Sequence, residues 1–154
     1  MADIVDSVTR SRMMSGIRSK NTKPELTIRK ALHARGFRYR IHCKDLPGNP
    51  DLCLPKYRAV IFVHGCFWHG HDCHLFKWPK TRPEFWAEKI SQNSERDYKH
   101  ALQLSAEGWR ICTVWECSLK GKGRVDLLSI SSRIEGWLDS EKRILEVAGS
   151  NTLG

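Results

Sequence analysis

Six residues within eleven positions could bind a metal or move a proton: His64, Cys66, His69, His71, Cys73 and His74. Thiols and imidazoles are zinc-type ligands, and an imidazole left free of metal is the side chain best suited to proton transfer near neutral pH. Cys117 adds a distant thiol, and three Cys with one His form a closed structural type of zinc site. Spacing alone leaves His69, His71 and His74 all eligible to complete it. Upstream, Asp51 follows the turn Pro47-Gly48-Asn49-Pro50. A carboxylate there, facing His64 at the end of the next strand, would suit a hydrolytic metal site, although Asp after such a turn is also ordinary turn chemistry. Phe67, Trp68 and Trp86 are the remaining anomaly, because aromatics beside a ligand loop or at a helix start stand where polar residues are expected.

These groups need elements to hold them. The apolar run Val60–Val63 reads as a buried central strand within Arg58–His64, and a shorter strand covers Asp51–Leu54. Thr22-Lys23-Pro24-Glu25 is a helix start with a Thr cap, Pro in the first turn and a capping-box Glu, running to about Arg35 and stopping at Gly36. Phe37, Tyr39 and Ile41 alternate with arginines, predicting a strand with one buried face. Thr81-Arg82-Pro83-Glu84 repeats the capping pattern and opens a long helix to Glu107, with Gly108 as its stop. A strand over Trp109–Trp115 and an amphipathic helix over Val125–Leu138 follow. Residues 140–154 form a tail with one helical-turn pattern, and residues 1–20 a basic arm. The order α-β-β-β-α-β-α gives an α/β fold, a mixed sheet flanked by helices. Trp109, Trp115 and Trp137 fit the core, as do Cys53 and Cys112. His33 falls on a helix face, and His74 and His100 on the surface.

At 154 residues the chain is expected to form one domain, with residues 21–139 as its body. Lys and Arg number 26 against 17 Asp and Glu, a formal charge of +9, which favours a polyanionic partner, nucleic acid before an anionic membrane. No apolar run spans a bilayer and no signal-peptide pattern opens the chain, so a cytoplasmic location is expected, where disulfides are rare. The six cysteines are then thiols or metal ligands.

Together these residues resemble a known family. Glu25, Pro50-Asp51 and Phe62-Val63-His64 are similar to the metal-dependent core of the restriction-endonuclease-like, PD-(D/E)XK-type nucleases, with His64 where most members carry Lys. That departure, with Ala2-Asp3, Thr9-Arg10-Ser11, Met14, Leu46-Pro47-Gly48, His64-Gly65-Cys66-Phe67-Trp68-His69, Phe85-Trp86, Lys89-Ile90, Asn93, Arg96-Asp97, Gly108-Trp109-Arg110 and Val114-Trp115-Glu116-Cys117, resembles the very short patch repair (Vsr) endonucleases.

The resemblance implies an Mg²⁺-dependent, strand-specific DNA endonuclease. It would nick double-stranded DNA 5′ to the thymine of a T·G mismatch left by 5-methylcytosine deamination. It implies that Asp51 and the backbone carbonyl of Val63 bind Mg²⁺, that Glu25 and His64 hold metal-bound waters, and that His69 is the general base. It assigns structural Zn²⁺ to Cys66, His71, Cys73 and Cys117. Phe67, Trp68 and Trp86 would wedge beside the mismatch, with Met14 entering from the opposite groove. Lys89 and Asn93 would read the mismatched bases, and Arg96 and Asp97 could be an orienting pair. Relatives often carry Thr where this chain has Val63. The expected enzyme is a monomer with mismatch-repair proteins as candidate partners and no membrane role. The alternatives are a nickase of the same fold with relaxed or different specificity, and a zinc-stabilised DNA-binding protein without catalysis.

Overall fold

The computed structural model describes residues 22–149; Met14 and the expected arm over 1–20 lie outside them. Helix α1 (Lys23–Ala34) begins as its capping sequence predicts, with the Thr22 hydroxyl accepting from the Glu25 N–H at 3.4 Å. Strands β1 (Arg40–Ile41), β2 (Leu52–Leu54) and β3 (Ala59–His64) follow, then the long helix α2 (Pro83–Ala106), strand β4 (Arg110–Trp115), helix α3 (Leu127–Leu138) and strand β5 (Ile144–Val147). They form one five-stranded sheet in the order β1-β2-β3-β4-β5. β1 to β3 pair antiparallel, whereas β3, β4 and β5 pair parallel. Antiparallel neighbours need only a tight link, here the turn Pro55–Tyr57 with Arg58 at φ 51°, while parallel neighbours need a crossover, supplied by α2 and then α3.

The pleat of β3 and β4 sends alternate side chains to opposite faces. Ala59, Ile61, Cys112 and Val114 join Ile28 and Leu32 of α1 and Ile130, Ile134 and Trp137 of α3 in the larger core cluster. Val60 and Ile111 join Cys53, Leu104 and Trp109 in a smaller cluster beneath the C-terminal half of α2. The rest of that face is left open where β3 and β4 end, and there the candidate chemistry collects. Arg110 fixes this frame from one position. Its guanidinium donates to the carbonyls of Tyr57, Trp137, Leu138, Ser140 and Lys142, and lies over the Trp137 ring at 4.8 Å.

Several elements differ from their sequence reading. The tail expected to carry a helical turn instead forms β5 over Ile144–Val147, hydrogen-bonded beside β4. Only Arg40–Ile41 of the Phe37–Ile41 alternation is a strand; Phe37 and Tyr39 pack on the core, but Ile41 is exposed on an edge. Thr81 does not cap α2. Arg82, left-handed at φ 52°, holds that position without a side-chain bond and stacks on Phe85 at 4.3 Å. Trp109 and Trp137 are core, as expected, but Trp115 is not. His74 is half-buried, its Nε2 accepting from the Gly123 N–H at 3.4 Å, and His100 is half-buried against Gly48.

Candidate active site and metal-ligand cluster

Asp51 stands immediately before β2, and its carboxylate accepts the Val63 N–H at 2.7 Å. In an extended strand the N–H and C=O of one residue project from the same edge, so the Val63 carbonyl faces the same side as Asp51. Burial pushes the Asp51 carboxyl up to about 7; the Val63 N–H opposes that rise and the neighbouring Glu25 charge adds to it. Glu25, only 1% exposed, enters from α1 and receives Arg29 at 3.3 Å and His42 Nε2 at 2.7 Å. His64 ends β3 with its Nδ1 buried and without a hydrogen-bond partner. Burial, reinforced by His69, holds its imidazole down to about 3, so it is neutral in any ordinary buffer. One buried and one half-buried carboxylate, a half-buried imidazole with a buried, unmet nitrogen and an edge carbonyl form a donor set that fits a divalent cation.

His69 stacks on His64 with ring centroids 3.8 Å apart and planes 4° from parallel. Its Nδ1 bonds the carboxylate of Asp97 on α2. A ring that donates from Nδ1 keeps the Nε2 lone pair free, the arrangement required of a proton acceptor. Glu25, Asp51, Val63, His64, Trp68, His69 and Asp97 all line one cavity of about 330 Å³.

The segment from Gly65 to Phe76 is held on α2 rather than left as a free loop. Asn93, buried on α2, donates to the Trp68 carbonyl at 2.9 Å, and Ser94 donates to the His69 carbonyl at 3.1 Å. Gly70, at φ +66°, lies so close to α2 that an added Cβ would stand 2.7 Å from Ile90 Cγ2. Consecutive loop carbonyls are thus gripped by consecutive helix residues, so the amide of Asn93 acts on the loop from within the protein. Lys89, one turn earlier, is half-buried.

Cys66, His71, Cys73 and Cys117 bring their ligand atoms within 4.8 Å of one another and could hold a metal ion. His71 comes within 3.6 Å of Cys117 Sγ through Nδ1. This separates the three histidines that spacing left eligible: His71 joins the thiols, His69 faces the cavity and His74 supports Gly123. Burial raises the Cys66 and Cys117 thiols and lowers the His71 imidazole, in each case disfavouring the charged form. Gly149, just past β5, donates its N–H to Cys117 Sγ at 3.2 Å. Trp115 joins the two centres. Its indole lies parallel to His71 at 4.1 Å, meets His64 edge-on at 5.3 Å, and donates to Glu146 of β5 at 2.9 Å.

Phe67, Trp68 and Trp86 touch one another at 5.2–5.8 Å and belong to neither buried cluster. Phe76 stacks on Phe67 at 5.8 Å, Trp78 abuts Phe76 at 4.9 Å, and Phe85 abuts Trp86 at 5.2 Å. Trp78 is 56% exposed and Phe85 44%, so this run of touching rings reaches the surface, as apolar patches at interaction sites do.

Residues 2–75 match the family model described as DNA mismatch endonuclease Vsr. The DNA mismatch endonuclease Vsr of Escherichia coli is 44% identical over 141 residues, covering 92% of this chain and 90% of that protein. The chain belongs to the Vsr family. The type II nicking enzyme V.XorIIP of Xanthomonas oryzae pv. oryzae is 45% identical over 139 residues, 90% of this chain and 98% of the relative. V.NmeAIP, a type II nicking enzyme of Neisseria meningitidis, is 48% identical over 122 residues, 79% of this chain and 87% of the relative. Membership of the Vsr family carries the restriction-endonuclease-like fold, with which the mixed five-stranded sheet agrees.

Four participants escaped the sequence reading. His42 on Glu25, Ser94 on the His69 carbonyl and Glu146 on Trp115 are local polar residues with no spacing signal. Glu116, whose Oε1 accepts the Cys66 N–H at 3.3 Å, was visible only as part of a motif.

Proposed function

We propose that this Vsr family member is a DNA nicking endonuclease that cleaves 5′ to the thymine of a T·G mismatch, with Mg²⁺ at Asp51 and structural Zn²⁺ at the Cys/His cluster. The observation that carries the reading is the convergence of Asp51, Glu25, the Val63 edge and His64 on one cavity with the His69–Asp97 pair. Asp51 and the Val63 carbonyl would hold the ion directly, and Glu25 and His64 would steady its waters. The bound ion supplies charge neutralisation at the scissile phosphate and a lowered pKa for water.

His69 is the proton acceptor, through Nε2. Asp97 fixes its tautomer and offsets the positive charge the ring gains. His64 stays neutral and stacks against His69, keeping the ring plane fixed. The hard oxygens of Asp51 and Val63 suit Mg²⁺, whereas three thiols and an imidazole suit zinc, so the donor chemistry separates the two ions. Phe67, Trp68 and Trp86 form a ring cluster able to enter the base stack, at an unstacking cost of about a few kcal/mol that is least at a mismatch. Asn93 bonds the Trp68 backbone and lines the cavity, and Lys89 and Asn93 are the candidate readers of the mispair. The +9 formal charge favours the phosphate backbone.

The deciding assay measures strand-resolved nicking of a T·G duplex and its paired control, with Mg²⁺ or with EDTA. The reading expects an Mg²⁺-dependent nick 5′ to the thymine and little cleavage of paired DNA. Equal cleavage of both duplexes would replace it with a nickase of relaxed specificity. Mismatch binding without any nick would replace it with a non-catalytic binder.

A further inference from the structure

Six cations stand in two loops away from the Asp51 cavity. Residues 77–82 carry Lys77, Lys80 and Arg82, residues 120–124 carry Lys120, Lys122 and Arg124, and neither stretch holds an acidic residue. All six are exposed, and none lines a cavity around Asp51. The two loops are held against each other at their bases. Gly123 donates its N–H to His74 Nε2 at 3.4 Å, and a Cβ on Gly121 would stand 2.5 Å from that nitrogen and 3.2 Å from Leu75 Cδ2. The chain enters the first loop from Cys73 and the second from Cys117 of the Cys/His cluster. The second is closed by the Val125 N–H on the Ser118 carbonyl at 2.7 Å. Three of the six cations have local relief: Lys120 meets Glu116 at 3.4 Å, Arg82 lies over Phe85 and Arg124 reaches the Gly121 carbonyl. Lys77, Lys80 and Lys122 make no ion pair or side-chain hydrogen bond among the described residues.

This patch is continuous with the ring cluster. Contacts run from Trp68, which lines the cavity, through Phe67 and Phe76 to Trp78, which stands between Lys77 and Lys80 in the chain. Rings that enter a base stack kink the duplex, and contacts made by the bent flank offset the cost of the kink. Double-stranded DNA carries one negative charge per about 1.7 Å of axis, so cations beside a wedge meet phosphates whatever the sequence there. We infer that loops 77–82 and 120–124 form a two-pronged clamp on the phosphate backbone of one flank of the duplex, beyond the bases that the wedge separates. Lys77, Lys80 and Lys122 neutralise phosphates; they position the DNA and read no base. The clamp rests on the reading of duplex DNA as substrate, and not on T·G specificity or on cleavage.

The test is fluorescence anisotropy of the full chain on labelled T·G and paired duplexes, without Mg²⁺ and across a salt series. Lys77→Gln, Lys80→Gln and Lys122→Gln are combined in one protein. A control combines Lys30→Gln, Lys56→Gln and Lys142→Gln, exposed lysines outside both loops, and so has the same net charge. Near about 0.15 M salt the clamp variant should bind both duplexes about tenfold or more weaker, by the same factor for each. Its slope of log K against log salt should be shallower by about 2–3, at about 0.9 per phosphate. The control, its lost charges screened from the DNA, should stay within about threefold of wild type. Metal content and Tm should be unchanged in both, and Lys77→Arg, Lys80→Arg and Lys122→Arg together should keep wild-type binding. Shortening one flank of the duplex, and not the other, should bring the wild-type protein down to the clamp variant. An equal loss in clamp variant and control would overturn the inference, as would an unchanged salt slope or a loss confined to the T·G duplex. If the clamp variant behaves as described yet no T·G duplex is preferred or nicked, the functional reading fails and the clamp stands.

Discussion

At the scale of single residues, the chemistry depends on which group each side chain touches, and sequence supplied residue types better than partners. Asp51 and His64 were legible because one follows a turn and the other ends an apolar strand. The choice between His69 and His71 was not, since either satisfies the spacing; it depends on where a loop carbonyl is gripped and on Cys117 arriving at His71. The contacts lead to a graded expectation. Asp51→Asn should abolish nicking while sparing mismatch binding. Asp97→Asn should lower kcat by about 10²–10⁴-fold, the range of a lost or misoriented general base, with KM for duplex little changed. Single-turnover nicking beside a gel-shift titration separates the two. Val63 presents main chain, not side chain, to the Asp51 carboxylate. Val63→Thr should therefore change the rate by less than about tenfold, or about 1.4 kcal/mol of barrier; a larger gain would give the hydroxyl a role.

At the scale of elements, α1, β2, β3, α2, β4 and α3 were readable from periodicity and stop signals, and β5 was not. Ile144–Val147 does alternate, with Leu145 and Val147 toward the core, but it is only four residues long and puts an apolar Ile144 on the exposed side beside Glu146, so the pattern is too short and too mixed to announce a strand. Its strand state comes from β4, which offers it a free parallel edge. The cap of α2 failed for a similar reason, because Arg82 takes a left-handed turn that propensity does not foresee. The docking of the ligand loop on α2 gives an element-level test. Gly70→Ala places a Cβ against Ile90 at a positive φ. Left-handed strain of about 1–2 kcal/mol and overpacking of about 1–3 kcal/mol should together destabilise the protein, by denaturant titration, by about 2–5 kcal/mol. Nicking at saturating substrate should fall as His69 loses its support; an unchanged melt and rate would mean that the loop is not pinned there.

At the scale of the whole molecule, the sheet presents one well-filled face and one open end, and both metal-type centres sit at that end. Cys66 and Cys117 follow the C-terminal ends of the adjacent parallel strands β3 and β4. An ion held between them would clasp the two central strands. Cys117→Ser should therefore lower zinc content below one per chain and reduce Tm together with activity, unlike the catalytic substitutions, which should leave both zinc and Tm intact. Metal analysis beside calorimetry checks this, and full zinc occupancy with an unchanged melt would count against the clasp. The formal charge of +9 was legible from composition, but its focus on a particular face was not, because side-chain placement decides that and net charge does not.

The bond from Gly149 to Cys117, and that from Trp115 to Glu146, have a consequence for how the chain is made. Synthesis proceeds from the N-terminus at about 5–20 residues per second. Cys66 and Cys73 therefore emerge well before Cys117, and Cys117 before the N–H that supports its sulfur. For that interval the nascent chain carries thiols with no finished cluster to enter, beside an uncovered aromatic patch. A ribosome-bound chain stopped before β5 should thus be easier to oxidise and more readily held by a chaperone than one stopped after Gly149.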